Sequence, residues 1–225
     1  MKLKVFLSFL LLINVHLCFA ANILSYGEEN VTTLGIKGDG LTDNTKLLSQ
    51  IVKTHKNLYF PRGTYLFKAL VISQSDVSIR GDGIGLTILK SSGLVNDHLL
   101  TLIDSQNINI SSLTMDGGGD LMPKPPKGDG ASCLTISRGT SKVVLKSVQF
   151  KNAFNKQVTV LGSAVDFTDC SFSGSSKINQ DLDGIHLYGG TKRLIAIKVL
   201  NCKFENLTRS GVYSDILVKN VQISR

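Results

Sequence analysis

The sequence predicts an all-β fold, a single-stranded solenoid of short parallel strands closed at its N-terminal end by one α-helix. Three observations carry this expectation. Five segments align without gaps: NINISSLTMDG from Asn107, KVVLKSVQFKN from Lys142, AVDFTDCSFSG from Ala164, AIKVLNCKFEN from Ala196 and DILVKNVQISR from Asp215. Each reads apolar-x-apolar-x-polar-apolar-x-apolar, so the side chains alternate within two short strands and the alternation breaks between them. At each break stands Ser112, Ser147, Asp169, Asn201 or Asn220, types that tolerate left-handed backbone or bond their own main chain. A further short strand precedes each segment, at 99–103, 133–137, 157–161, 184–188 and 210–214. Three strands per turn, joined by loops of varying length, make a coil rather than a sandwich, whose hairpin signals are scarce here.

The elements follow in chain order. Residues 1–20, MKLKVFLSFLLLINVHLCFA, have the charged start, the short apolar run and the small-residue cleavage site of a secretory signal peptide. The run is too short to span a bilayer, so residues 21–225 are expected to leave the cell as one domain. TDNTKLLSQIVKTH (42–55) reads as the helix, capped by Thr42 or Asp43 and apolar along Leu47, Leu48, Ile51 and Val52. Laid across the open end of the stack, it would cover core and unpaired strand edges. Stacking the five segments aligns Phe150, Phe172 and Phe204 in one ladder, and Cys170 with Cys202 in another. The two cysteines are close enough to bridge, and the expectation is a pair of buried free thiols. The sequence stops at VKNVQISR in the middle of a repeat, which predicts either a longer β-helix or an end covered by self-association.

Composition narrows the class. The formal net charge is +8, and removing the first 20 residues takes away lysines but no acids, so the remainder stays basic. An exported basic domain suits an anionic partner, here an acidic polysaccharide. Nucleic acid is set aside because no aromatic platform is interleaved with arginines. Cys133, Cys170 and Cys202 form no disulfide framework and no metal-ligand spacing. Asn30, Asn109 and Asn206 begin glycosylation sequons, relevant only in a eukaryotic secretory host. RGD (80–82) is expected to be a tight turn, and GDGIG (81–85) no dinucleotide fingerprint, since no helix should follow it.

Four stretches together resemble the N-terminal signature of the pectate-lyase-like superfamily: LGIKGDGLTDNTKLLSQIV (34–52), LYFPRGTYLF (58–67), DVSIRGDGIGLTIL (76–89) and SLTMDGG (112–118). The branch they resemble groups rhamnogalacturonases, some uronan epimerases and phage tailspike domains. This resemblance implies a right-handed parallel β-helix and a secreted or surface-displayed, carbohydrate-facing protein. It leaves the chemistry open, because members include lyases, hydrolases, epimerases and adhesins.

The candidate site lies in DLDGIHLYGG (181–190). With the alternate apolar residues of the preceding strands turned inward, Thr101, Thr135, Thr159, His186 and Tyr213 form an outward ladder. Three residues earlier His98, Ser132, Lys156, Asp183 and Ser210 form a second column. Asp183-Gly184 is expected to turn the chain into its strand. DGIH (183–186) resembles the first catalytic motif of polygalacturonases, but TRSGVYS (208–214) stands where that family would bring paired aspartates. LDG (182–184) resembles an acidic site of alginate epimerases, without the Asp-Pro-His-Glu expected in the coil before. Proton abstraction beside a uronate carboxyl needs a base and a neutralising cation, whereas hydrolysis needs two carboxylates. The candidate catalytic residues are therefore Asp183, Asp181, His186 and Lys156. Arg209, Tyr213, Thr159, Lys124 and Lys127 are candidate substrate contacts, the two lysines from the long loop 117–130. No cofactor is required, and Ca2+ is kept open. The expected function is lysis or hydrolysis of an acidic polysaccharide, and the rival is a non-catalytic binding module.

Overall fold

The computed structural model describes residues 27–92, 98–119, 131–174, 182–189, 194–215 and 217–225. The segment 1–20, Asp181, Lys124 and Lys127 lie outside these residues. The chain forms a right-handed parallel β-helix, in which every strand pair among the described residues is parallel. Its first face stacks Leu70–Ile72, Leu100–Leu102, Leu134–Ile136, Lys156–Val160, Asp183–Leu187 and Ser210–Ser214. The second and third faces belong to one 13-stranded sheet, because Gln106–Asp116 and Ser141–Lys151 each run 11 residues through the bend between them.

Left-handed residues make the bends. Ser112, Ser147, Asp169 and Asn201 have φ of 55°, 53°, 54° and 51°, as the alignment predicts. An earlier corner is built the same way from Asn107, Lys142, Ala164 and Ala196, with φ between 52° and 57°. Lysine and alanine enter that region at a cost of roughly 1–2 kcal/mol each, so nothing in their chemistry announces the corner. The stack tolerates it because the flanking strands are paired on both sides.

Inside, like residues pack on like. Val77/Ile79, Ile108/Ile110, Val143/Leu145, Val165/Phe167 and Ile197/Val199 are buried and in register. Phe150, Phe172 and Phe204 stack with centroids 5.1 and 4.9 Å apart and nearly parallel rings. The fifth segment departs from the expected alignment. Val221 and Ile223 pair with Ile197 and Val199, not with Cys202 and Phe204, so Asn220 (φ 54°) repeats the Ala196 corner rather than the Asn201 one. The repeated apolar-x-apolar pattern is the same for both pairs, and only hydrogen bonding distinguishes them.

The helix is shorter than expected, Thr45–Ile51, with Asn44 as its N-cap. Neither Thr42 nor Asp43 occupies that position, although the Asp43 carboxylate accepts from the Thr45 amide at 2.9 Å. The Asn44 amide is spent on Lys37, to which it both donates and accepts at 2.9 Å. Leu48, Ile51 and Val52 are buried in the core, while Leu47 stays 38% exposed. Arg80 and Gly81 end the strand Val77–Gly81 instead of forming a turn. The Arg80 guanidinium pairs with Glu28 at 2.7 Å and covers Tyr59. A strand, Thr87–Ser91, follows GDGIG. Cys133, Cys170 and Cys202 are free thiols.

Candidate active site on the first face

The strand Asp183–Leu187 pairs with Lys156–Val160 on one side and Ser210–Ser214 on the other. Lys156, Asp183 and Ser210 therefore form one column, and Thr159, His186 and Tyr213 the next. Thr101 and Thr135 continue the second column. Asp183 and His186 lie on the same side although three residues apart. Strict alternation would oppose them, but Gly184 faces the interior together with Ile185, which shifts the phase. A Cβ at Gly184 would lie 2.5 Å from the Gly211 carbonyl oxygen and 2.7 Å from Phe204. The glycine is thus required by close packing inside a strand, and Asp183-Gly184 is not a turn.

Asp183 is fully buried and paired with Arg209, whose Nε donates to Oδ1 at 2.8 Å while Nη2 donates to Oδ2. The Arg209 amide donates to the Leu182 carbonyl at 3.2 Å, which sets the guanidinium over the carboxylate. Its other side lies 4.2 Å above the Tyr213 ring. His186 sits between two carboxylates, Nδ1 3.7 Å from Asp183 and Nε2 3.4 Å from Asp215. The edges of Tyr213 and Tyr188 meet its ring at 4.9 and 5.8 Å.

Burial, and then the charge of Lys156, hold the His186 imidazole below its ordinary range, against smaller opposing pulls from Asp215 and Asp183. Folding thus favours the neutral ring. The unfolded chain takes up the proton first, so this stability is complete above about pH 6.5 and declines as the pH falls below it. The denaturation midpoint of the wild type is expected to drop between about pH 7 and 5, and His186→Asn to flatten that decline. The carboxyls of Asp39, Asp43 and Asp76, held below their usual range by hydrogen bonds, titrate at more acid pH and leave this window clear.

Beside His186 the face opens into a cavity of about 220 Å³ lined by His98, Thr135, Lys156, Thr159, His186 and Tyr188. Lys156, His186 and Thr135 are each 6–7% exposed. The Thr135 hydroxyl and the two His186 ring nitrogens lack a well-formed hydrogen bond, whereas Thr159 Oγ1 lies 3.0 Å from the Ser132 hydroxyl. Of the expected residues, Asp183, His186, Lys156, Thr159, Arg209 and Tyr213 come together here, and Asp181, Lys124 and Lys127 fall outside the described residues. Asp215 and Tyr188 join the site unforeseen. Tyr188 had a signal, the period-2 continuation of the outward ladder from His186. Asp215 had none, because it follows its strand and reaches His186 only through the coil stacking. Among the described residues, no group of three or more His, Cys, Asp or Glu side chains is placed to hold a metal ion.

A family model described as rhamnogalacturonase A/epimerase, pectate lyase-like, matches residues 29–224. The chain belongs to this pectate-lyase-like family. It is 35% identical over 112 residues to alginate lyase 7 of Azotobacter vinelandii and 28% identical over 111 residues to the preneck appendage protein of Bacillus phage PZA. These matches take in 41% and 46% of this chain, and 13% of the length of each relative. A family 28 exopolygalacturonase from Yersinia enterocolitica shares the fold, with a TM-score of 0.67 at 16% identity over 87% of this chain and 48% of that one. Among the described residues, no helix is long and apolar enough to cross a membrane.

Proposed function

We propose that the chain is a secreted protein that binds an acidic, uronate-containing polysaccharide along its first face and cleaves it by elimination. The observation that carries this reading is the buried His186, set between Asp183 and Asp215 and lining the cavity beside Lys156. In the proposed step the Asp215 side chain, 25% exposed, turns away from His186 Nε2 as the polymer enters, and that nitrogen takes the proton on the carbon bearing the uronate carboxyl. The Lys156 ammonium neutralises the carboxylate as charge develops on it. The bond to the glycosidic oxygen breaks, a carbon–carbon double bond forms, and the Tyr188 hydroxyl protonates the departing oxygen. Asp183 orients the imidazole from the Nδ1 side, and Asp183 is in turn held by Arg209. Hydrolysis fits the described residues less well. It needs two carboxylates facing the sugar, and Asp183 is buried in its ion pair. The alginate lyase and exopolygalacturonase among the similar proteins support a uronate substrate.

The test is an assay of the purified protein on polygalacturonate, rhamnogalacturonan and alginate, following unsaturated-uronide absorbance and reducing ends together. The expected result is a rise in both on one polymer, reduced at least ~100-fold in His186→Ala. Reducing ends without absorbance would replace elimination by hydrolysis. Binding without either signal would leave a non-catalytic module, the reading that the phage appendage relative supports.

A further inference from the structure

We propose that Cys170 and Cys202 are a disulfide-forming pair, which in an oxidising medium ties the coil leading to Asp183 to the coil leading to Arg209. The next residues pair as Ser171 with Lys203 and Phe172 with Phe204, so the cysteines stand directly opposite in adjacent parallel coils. The Lys203 amide donates to the Cys170 carbonyl at 2.9 Å. A coil spacing of about 4.8 Å lies inside the ~4.4–6.8 Å range of bridged Cα atoms. Just before the cysteines, the Asn201 side-chain amide donates to the Asp169 carboxylate at 2.6 Å and holds the two left-handed corners together. The Cys170 sulfur lies 3.3 Å from the Leu145 carbonyl oxygen and the Cys202 sulfur 3.3 Å from the Leu200 carbonyl oxygen, weak contacts that both side chains exchange for the bridge.

The two sulfurs differ in access. Cys170 is buried, whereas Cys202 is partly exposed. Cys202 is therefore the attacking sulfur. It displaces one thiolate from a low-molecular-weight disulfide such as oxidised glutathione and forms a mixed disulfide. Cys170 then attacks the Cys202 sulfur, passing its proton to the second departing thiolate. One small disulfide is reduced to two thiols as one protein disulfide forms. Cys133 is the internal control, since it is fully buried and its sulfur bonds the Lys151 carbonyl and the Gln157 side chain.

The experiment equilibrates the purified chain across reduced-to-oxidised glutathione ratios, quenches it with an alkylating agent under denaturing conditions, and maps peptides by mass. The expected outcome is a 170–202 linked peptide, loss of two hydrogens from the intact chain, and Cys133 still alkylated. The oxidised form should melt about 5–10 °C higher, a shift that Cys202→Ser abolishes. Free thiols at both positions throughout, a persistent glutathione adduct on Cys202, or a link between two chains would each overturn the proposal. Peptide mapping of the wild type decides the matter even if the variant fails to fold.

Discussion

Arg209→Met is expected to destabilise the protein by about 3–5 kcal/mol, because it leaves a fully buried carboxylate without the cation that neutralises it. The effect should be asymmetric. Asp183→Asn leaves behind an arginine that is 31% exposed at its side chain and can turn towards water. Its penalty should be the smaller of the two. Removing both charges, as in Asp183→Leu with Arg209→Met, is expected to recover most of the Arg209→Met loss, since no uncompensated ion remains. Arg209→Lys should fall between, because an ammonium cannot make the forked contact to both carboxylate oxygens. Urea unfolding of the four variants checks the order. If Arg209→Met and Asp183→Asn cost the same small amount, the pair behaves as a surface ion pair and the account of the site is wrong.

Phe172→Ala is expected to cost about 3–5 kcal/mol. The side chain is fully buried, lies between two parallel rings at 5.1 and 4.9 Å, and meets the edge of Phe167 at 5.8 Å. Truncation opens a void that the coils above and below cannot fill, because their backbone spacing is set by hydrogen bonds. In a solenoid each coil is stabilised mainly by its neighbours, so this one change weakens two interfaces at once. Phe204→Ala should cost less, since Phe204 is only partly buried. Phe172→Leu should cost less again than Phe172→Ala, as it keeps most of the volume. Equal midpoints for Phe172→Ala and Phe204→Ala would contradict the nearest-neighbour picture.

The first-face columns were legible because they rest on counting. Once the inward apolar residues are recognised, period 2 places Thr101, Thr135, Thr159, His186 and Tyr213 outward, and the strand register agrees. The second corner was legible from its Ser, Asp and Asn residues, whereas the first, built partly from Lys142, Ala164 and Ala196, was not. The fifth segment pairs one strand away from its sequence alignment, because both strand patterns in the repeat share the same apolar spacing. The helix start is not legible from residue type, because Asn44, its N-cap, uses its side chain on Lys37 rather than on the helix. Asp-Gly reads as a turn in the sequence, whereas Gly184 lies within a strand and lets the Gly211 carbonyl approach.

What the sequence by itself determined is the solenoid, the faces of its strands, the family resemblance and the column holding Lys156 and Asp183. All of these follow from local periodicity and residue type. What only the tertiary structure decided is the chemical state of the site. The sequence places Asp183, Arg209, His186 and Asp215 within 35 positions of one another but says nothing of their contacts. The stacking of coils buries Asp183 against Arg209 and sets His186 between two carboxylates. Burial and charge pairing are properties of the whole stack, and they lock Asp183 in an ion pair and lower the proton affinity of His186.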